Sequence, residues 1–373
     1  MRTKRAVILT GKAGNGHLSV AEAYQYWLPK WGFTAEVYDV LPKPSDQVLQ
    51  LLYKVPATYR SLYRLSDKPT LSQAMIEILA PEIDWKIHQL IPNYDAADLV
   101  ISTNLFVHPV GGQFRIMAIL DPTVHSVYFS HPQPDCYFNF WESSLAEMKK
   151  NGFRTKKIIH TGPLARPSFY ENGEKYEQAK LQQELKAANN IPQDHLIALA
   201  MAGSAWIFRS APYLDYLKKT FLDEKITFVF LCGRNRKFIR EVGSRYRRVK
   251  NFKFLSWLDQ SEVTKWMIAA DCGLAFSLAQ MSVEAGLTKL PVFIFRLIEG
   301  QEEGYRQVIN GHGAGLYLPG LPADQIELFK NLLPHRDKLF KKNLEIWQKE
   351  LLAGPEKTHQ ALEQVLISLK ERE

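Results

Sequence analysis

The sequence predicts two α/β domains in tandem, each a doubly wound parallel sheet. Three observations predict it. Short β-rich runs alternate with helical stretches over most of the chain. The alternation breaks at Gly162-Pro-Leu-Ala-Arg-Pro167 and the polar stretch 172–190, then restarts. The 373 residues, 46% hydrophobic and 23% charged, have the length and composition of two ordinary globular cores.

The elements follow in order. Residues 6–10 are the first apolar run, which ends in a glycine-rich turn and leads into a helix from about 19 to 31. Residues 34–40 read as the second strand and 99–102 as the third, with 116–120 and 126–129 as two more. A helix over 143–150 precedes a strand at 157–161. In the second half, 196–202, 227–232, 253–256, 272–276 and 292–295 read as strands, and 341–352 and 359–371 as terminal helices. The expected domains are therefore 1–165 and 166–345, with 346–373 closing the chain. Open parallel sheets bind ligands at the carboxyl ends of their strands, so the turns that follow strands are where function is sought.

Composition excludes several classes. No apolar run is long enough to span a bilayer, and the stretch 6–9 is too short for a secretory leader. Cys136, Cys232 and Cys272 are too few and too scattered for a zinc ribbon or a disulfide framework, so they read as buried thiols. A cytoplasmic protein is expected. The net charge of +8 resides in one segment: residues 234–253 hold nine Lys/Arg and one acid, Glu241. The rest of the chain is neutral. Such a patch suits an anionic membrane surface or a solvated helix face; no nucleic-acid motif accompanies it.

The first turn, Thr10-Gly-Lys-Ala-Gly-Asn-Gly-His17, is not a Walker loop, because no Gly-Lys-Ser/Thr follows at the required spacing. It half-fits a dinucleotide fingerprint: Gly14 and Gly16 are in place, Ser19 stands at the third glycine, and Asp39 ends the second strand. A nicotinamide-dependent oxidoreductase is thus one reading. His17 argues for another, since a neutral imidazole at a helix N-terminus can take a proton from a hydroxyl. A histidine that merely completes the turn is the plain alternative.

Three motifs occur in order: the Gly-Asn-Gly-His turn, Gly162-Pro-Leu-Ala-Arg-Pro167 at the junction, and Gly300-Gln-Glu-Glu-Gly304 late in the chain. Together, over residues 5–320, they resemble the GT-B glycosyltransferases of the monogalactosyldiacylglycerol synthase, processive diacylglycerol glucosyltransferase and MurG type. The resemblance implies two Rossmann-like domains facing across a cleft, a UDP-sugar as co-substrate with no cofactor or metal, and a lipid acceptor such as diacylglycerol. It implies His17 as base on the acceptor, and Asp121, in Asp121-Pro-Thr-Val-His125, on the acceptor side. On the donor side it implies Arg166, Ser204, Trp257 for uracil, Glu284 for the ribose, and Gln301 with Glu302 for the sugar hydroxyls. By the same kinship the anomeric centre inverts, and the protein sits peripherally on the inner face of the membrane.

The sequence departs from that pattern in two turns. Ala202-Gly-Ser-Ala-Trp206 keeps one glycine, and Phe276-Ser-Leu-Ala-Gln-Met281 keeps none, so side chains there are expected to crowd a diphosphate. A non-catalytic nucleotide-sugar-binding protein is a rival reading for that reason. Asp121, His125, His131 and Asp135 lie close in sequence but match no zinc spacing; a polar acceptor pocket and ordinary hydrogen-bonded structure both stay open. Tyr53, Tyr59 and Tyr63, with Lys54, Arg60 and Arg64, read as an interfacial helix with tyrosines at headgroup depth, or as a helix packed on its own sheet. Pro56 is expected to interrupt it.

Overall fold

The computed structural model describes residues 3–11, 15–42, 56–129, 134–150, 158–172, 175–203 and 211–370. The chain divides into two compact units. One comprises Met1–Pro167, Glu299–Gly304 and Leu351–Glu373; the other comprises Ser168–Ile298 and Tyr305–Glu350.

The first unit opens with β1 (Lys4–Thr10), α1 (Asn15–Lys30) and β2 (Phe33–Asp39). Two helices, α2 (Pro56–Ser66) and α3 (Pro69–Leu90), precede β3 (Leu99–Ser102) and β4 (Arg115–Ile119). The sheet is completed by β5 (Cys136–Asn139), α4 (Glu142–Lys150) and β6 (Ile158–His160). All pairings are parallel, in the order β2-β1-β3-β4-β5-β6. Ala6 to Leu9 are wholly buried, as a strand covered on both faces requires.

The second unit begins in α5 (Pro167–Asn172) and α6 (Gln178–Ala188), then runs β7 (Leu196–Met201), α7 (Ala211–Thr220) and β8 (Ile226–Leu231). It continues through α8 (Arg236–Tyr246), β9 (Phe252–Leu255), α9 (Gln260–Ala269), β10 (Cys272–Ala275) and α10 (Met281–Leu287). β11 (Val292–Ile294), α11 (Glu303–Gly311), β12 (Gly315–Tyr317), α12 (Pro322–Leu332) and α13 (Arg336–Leu352) follow. The parallel order is β12-β11-β10-β7-β8-β9, doubly wound like the first sheet but with two strands, β8 and β9, beyond the unit's first strand where the first unit has only β2. Its core is rich in phenylalanine: Phe221, Phe228, Phe252 and Phe230 pack in succession with ring centroids 5.2–5.8 Å apart. The last helix, α14 (Gly354–Lys370), belongs to the first unit, where His359 stacks on Trp31 of the segment after α1 at 5.3 Å.

One device sets strand register three times. An aspartate just before a strand accepts the backbone N–H at the start of the neighbouring strand: Asp98 from Arg5 at 2.7 Å, Asp135 from Arg115 at 2.9 Å, and Asp271 from Ile197 at 2.7 Å. Each is a charge-assisted bond that a one-residue slip would break.

One expectation needs correction. Residues 126–129 form a 3-10 turn and not a strand. β4 already has β3 and β5 on its two sides, and the turn's backbone N–H groups go to Asp67, His125 Nδ1 and the His125 carbonyl. Pro56 is the first residue of α2, where its missing N–H costs nothing. Residues 43–55, including Tyr53 and Lys54, lie outside the described residues.

Candidate active site

In both units the strand order reverses between two central strands, β1/β3 in the first and β7/β10 in the second. Crevices at such switch points bind ligands. The residues singled out from the sequence can be placed against that frame, one unit at a time.

His17 lies in the first turn of α1, directly after β1, and is almost fully buried. Its Nδ1 is 2.6 Å from the carbonyl oxygen of Thr103, which follows β3. A carbonyl only accepts, so Nδ1 carries a proton, and of the two neutral tautomers the contact selects the one with its lone pair on Nε2. Thr103 is itself fixed: its N–H donates to Leu9 O at 3.0 Å, and its hydroxyl lies 3.0 Å from Thr10 Oγ1 and 3.1 Å from His17 O. The switch point of the first unit thus contains an imidazole whose tautomer is dictated by backbone.

Asp121 follows β4, is buried, and accepts from the Tyr128 hydroxyl at 3.2 Å. Burial and the adjacent Asp121 carboxylate drive the Tyr128 phenol well above its ordinary range, so it remains a donor. His125 is held by neighbouring groups. Val127 N–H donates to its Nδ1, and its Nε2 meets Tyr63 O at 3.3 Å and Ser66 Oγ at 3.2 Å. Burial lowers its pKa, against the opposing pull of Asp67 and the Tyr63 carbonyl. Asp135 pairs with Arg115, and His131 lies outside the described residues. No three His, Cys, Asp or Glu side chains cluster as metal ligands among the described residues.

The segment Glu299–Gly304 lies in this same unit, against α2. Tyr59 Oη donates to Gln301 Oε1 at 2.7 Å, Arg60 Nη1 meets Glu299 Oε2 at 2.5 Å, and Gly300 turns at φ +92° beside the Tyr63 ring. Glu302 is buried. α2 therefore does not present its tyrosines at headgroup depth: Tyr59 is buried, and Tyr63 faces Gly300 and His125. Its exposed face carries Leu62, Arg64 and Leu65. Arg166 is half-buried just before α5. A cavity of about 510 Å³ opens against α3, lined on its apolar side by Ile76, Ala80, Ile83, Phe106, Val110 and Phe129.

In the second unit, Glu284 is buried on α10, a helix with no exposed residue. The turn feeding α10 from β10 is the one without glycine, yet Ala279 adopts φ +42° there. Its backbone keeps a left-handed turn at the expense of strain at an alanine. Gly203, after β7, also turns left-handed, at φ +69°. Ser204 lies outside the described residues. Trp257 follows β9 and is 44% exposed, with the Arg234 guanidinium 4.0 Å from the ring centre.

Sequence reasoning missed the lock on His17 and the clamp on Gln301. The first had a signal, since Ser102-Thr-Asn104 is a polar stop after an apolar run. The second had none beyond the aromatic spacing of α2, which read equally as an interfacial helix or a helix packed on its own sheet.

Two doubly wound parallel α/β units define the GT-B class of fold. Among solved structures, the spinosyn rhamnosyltransferase SpnG superposes at TM-score 0.62 with 13% identity, covering 96% of this chain and 100% of its own. WaaG, a glycosyltransferase of lipopolysaccharide biosynthesis, follows at 0.60 and 14%, covering 96% and 99%. The UDP-GlcNAc 2-epimerase of Neisseria meningitidis, solved with UDP-GlcNAc, also reaches 0.60 at 13%, over 98% and 100%. In sequence, the chain is similar to the processive diacylglycerol β-glucosyltransferases of Bacillus pumilus, 23% identical over 358 residues and covering 90% of this chain and 88% of the relative, and of Bacillus subtilis, 23% over 370 residues, covering 91% and 90%. No family model matches the chain. The resemblance read from the sequence motifs therefore extends over nearly the whole length of both proteins.

Proposed function

We propose that this protein transfers a hexose from a UDP-sugar to the hydroxyl of a lipid acceptor of the diacylglycerol class. The observation that carries the reading is His17 at the switch point, its Nδ1–H committed to Thr103 O, in a chain related end to end to diacylglycerol β-glucosyltransferases. The fold alone does not choose between sugar transfer and epimerisation, since both kinds of enzyme share it; the sequence relatives favour transfer.

In this mechanism the acceptor hydroxyl gives its proton to His17 Nε2 as its oxygen forms the new bond to the anomeric carbon. UDP leaves from the opposite face with the bonding electron pair, so the anomeric centre inverts. Asp121 lies on the acceptor side. Glu284 holds the ribose hydroxyls, Trp257 and its loop the uracil, Arg166 and Ser204 the diphosphate, and Gln301 with Glu302 the sugar. The apolar wall along α3 suits a chain of the lipid.

Peripheral attachment to the cytoplasmic membrane face completes the reading. α8 and the residues after it expose Arg236, Arg240, Arg247, Arg248 and Lys250, none in an ion pair among the described residues, which suits an anionic bilayer. No helix among the described residues is long and apolar enough to cross a membrane.

Thermal unfolding with excess UDP, with NAD and with no ligand tests the donor site. A ligand specific for the folded state, at a hundredfold excess over Kd, adds about 2.7 kcal/mol. Stabilisation by UDP alone, lost in Glu284→Ala, supports the reading. Stabilisation by NAD alone would restore the oxidoreductase. UDP binding with no turnover of any UDP-sugar would leave a non-catalytic binder, the reading that the strained Ala279 turn favours.

A further inference from the structure

We infer that Glu77 and Asp84 of α3 select the acceptor lipid by charge: they repel phosphate-bearing anionic lipids from the cavity against α3 and leave it to neutral lipids with a free hydroxyl. The inference rests on the proposed reading of a lipid acceptor.

The chain itself ties this cavity to His17. Phe106 and His108 line it, and Phe106 follows Thr103, whose carbonyl accepts from His17 Nδ1, by three positions. Three residues of fully extended chain span about 10–11 Å. This stretch is folded more tightly, since Asn104 Oδ1 accepts the Phe106 N–H at 2.9 Å and Asn104 O accepts the Val107 N–H at 3.0 Å. One wall of the cavity therefore stands roughly a Debye length from the residue that holds the proposed base.

The carboxylates on the cavity lining face no counter-charge. Glu77 and Asp84 are seven residues apart, hence on one face of α3 and roughly 10 Å apart along its axis. Glu77 accepts from Gln73 Nε2 at 3.0 Å. The cations of the same helix are engaged elsewhere: Lys86 Nζ donates to Leu41 O at 2.8 Å, and His88 Nε2 meets Asp95 at 3.7 Å. No lysine or arginine lines the cavity among the described residues. Partial burial raises the Asp84 pKa against the pull of His88, as befits a carboxylate on a poorly solvated wall. Poorly solvated walls with charge of one sign focus its field. An apolar wall cannot choose between lipids by their chains, because a diacylglycerol and a phospholipid carry the same ones. Selection then needs an element that repels the wrong head group. A phosphate monoester carries about −1.5 to −2 charges and a free hydroxyl none, so the field rejects the first and spares the second. The exposed cations of α8, which attract anionic lipid, make that rejection necessary.

Inhibition of sugar transfer to dioctanoylglycerol by the full-length protein, in neutral detergent micelles, tests this. The assay runs at about pH 8, above the ordinary carboxylate and imidazole values. Two competitors carry the same chains as the acceptor: dioctanoyl phosphatidic acid, and dioctanoylglycerol with its hydroxyl capped as a methyl ether. The readout is the ratio of their inhibition constants against the acceptor. Wild-type protein should bind the ether more tightly than the phosphatidic acid. Glu77→Gln with Asp84→Asn keeps the side-chain shapes, removes both charges and should bring the ratio down about tenfold, since like charges set together are strongly unfavourable. Glu77→Gln alone, at an exposed position, should move the ratio the same way and serves if the double variant does not fold. A lining that acts by shape alone would move both constants together. A wild-type ratio near unity, or a ratio unchanged in the variants, overturns the inference and leaves the acceptor reading intact. Wild-type protein that transfers no sugar to dioctanoylglycerol overturns both.

Discussion

The two glycines that bracket α11 give a direct test of how residues 299–304 are seated. A Cβ built on Gly304 would meet Thr123 Oγ1, stand 2.9 Å from the backbone nitrogen of Thr123, and 3.0 Å from Pro122 Cβ. The hydroxyl could rotate away; the backbone could not. Gly304→Ala therefore forces the whole segment to lift from the loop after β4. Overpacking of this kind costs about 1–3 kcal/mol. Gly311, at the other end of the same helix, has no neighbour within 4 Å of such a Cβ and no left-handed φ. Gly311→Ala should instead add up to about 1 kcal/mol, by narrowing the unfolded ensemble.

The two variants differ from wild type by the same methyl group, so their unfolded chains are close to matched. In a unit of 150–250 residues each kcal/mol shifts the midpoint by roughly 2–4 °C. Differential scanning calorimetry should place Gly311→Ala at or above wild type, and Gly304→Ala at least roughly 2–4 °C below. Because Gln301 and Glu302 ride on the displaced segment, Gly304→Ala should also raise the KM of the UDP-sugar more than that of the acceptor. Equal midpoints for the two variants, with equal donor KM, would refute the packing of residues 299–304 against Pro122 and Thr123.

Other expectations follow from the same geometry. His17→Gln should lower kcat by about 10²–10⁴ with little change in UDP affinity; a drop under tenfold would remove His17 as the base. Burial lowers the pKa values of His125, His160 and His195 in the folded chain, so the unfolded chain binds more protons once pH falls through the ordinary histidine value of about 6.5. Stability should therefore decline as pH drops below that point, and His125→Gln should shrink the decline; an unchanged pH profile would count against a neutral, buried His125. Asp84 and Asp271, raised by burial, act in the opposite sense at lower pH. Ala279→Gly should relieve the left-handed strain and, after the greater unfolded-state entropy of glycine is set against it, stabilise the second unit by up to about 1.5 kcal/mol, a gain that urea unfolding can resolve.

Legibility of this fold followed local chemistry. Many of the strands found from sequence carry continuous apolar runs, such as residues 6–9 and 228–231, because a strand buried on both faces needs them. Two strands were missed. β5 lies directly behind a proline-rich stretch, and β12 starts on Gly315 at the end of the run Gly311-His-Gly-Ala-Gly315, so both sit among residues that read as turns. The reverse error at 126–129 has the same root. Val-Tyr-Phe is as β-prone as any strand in the chain, but a β-ladder needs an open neighbour, and β4 has none.

The site divides along the same line. His17 was legible because a glycine turn, a helix start and an imidazole coincide within a few residues. Its tautomer was not, since the lock comes from Thr103, 86 positions away. The aromatic stretch over 59–63 shows why pattern and role can separate. Tyr-Arg-Ser-Leu-Tyr reads equally as an interfacial helix or as a clamp, since both need rings and cations at helical spacing. What decides is the partner surface, and here it is a left-handed glycine and a glutamine from more than 230 residues downstream. Glycine is required at 300 both by its φ of +92° and by the Tyr63 ring against it, and Gln301 meets the Tyr59 hydroxyl at 2.7 Å. Each half of that contact is uninformative alone, so the clamp is a property of the fold and not of either motif.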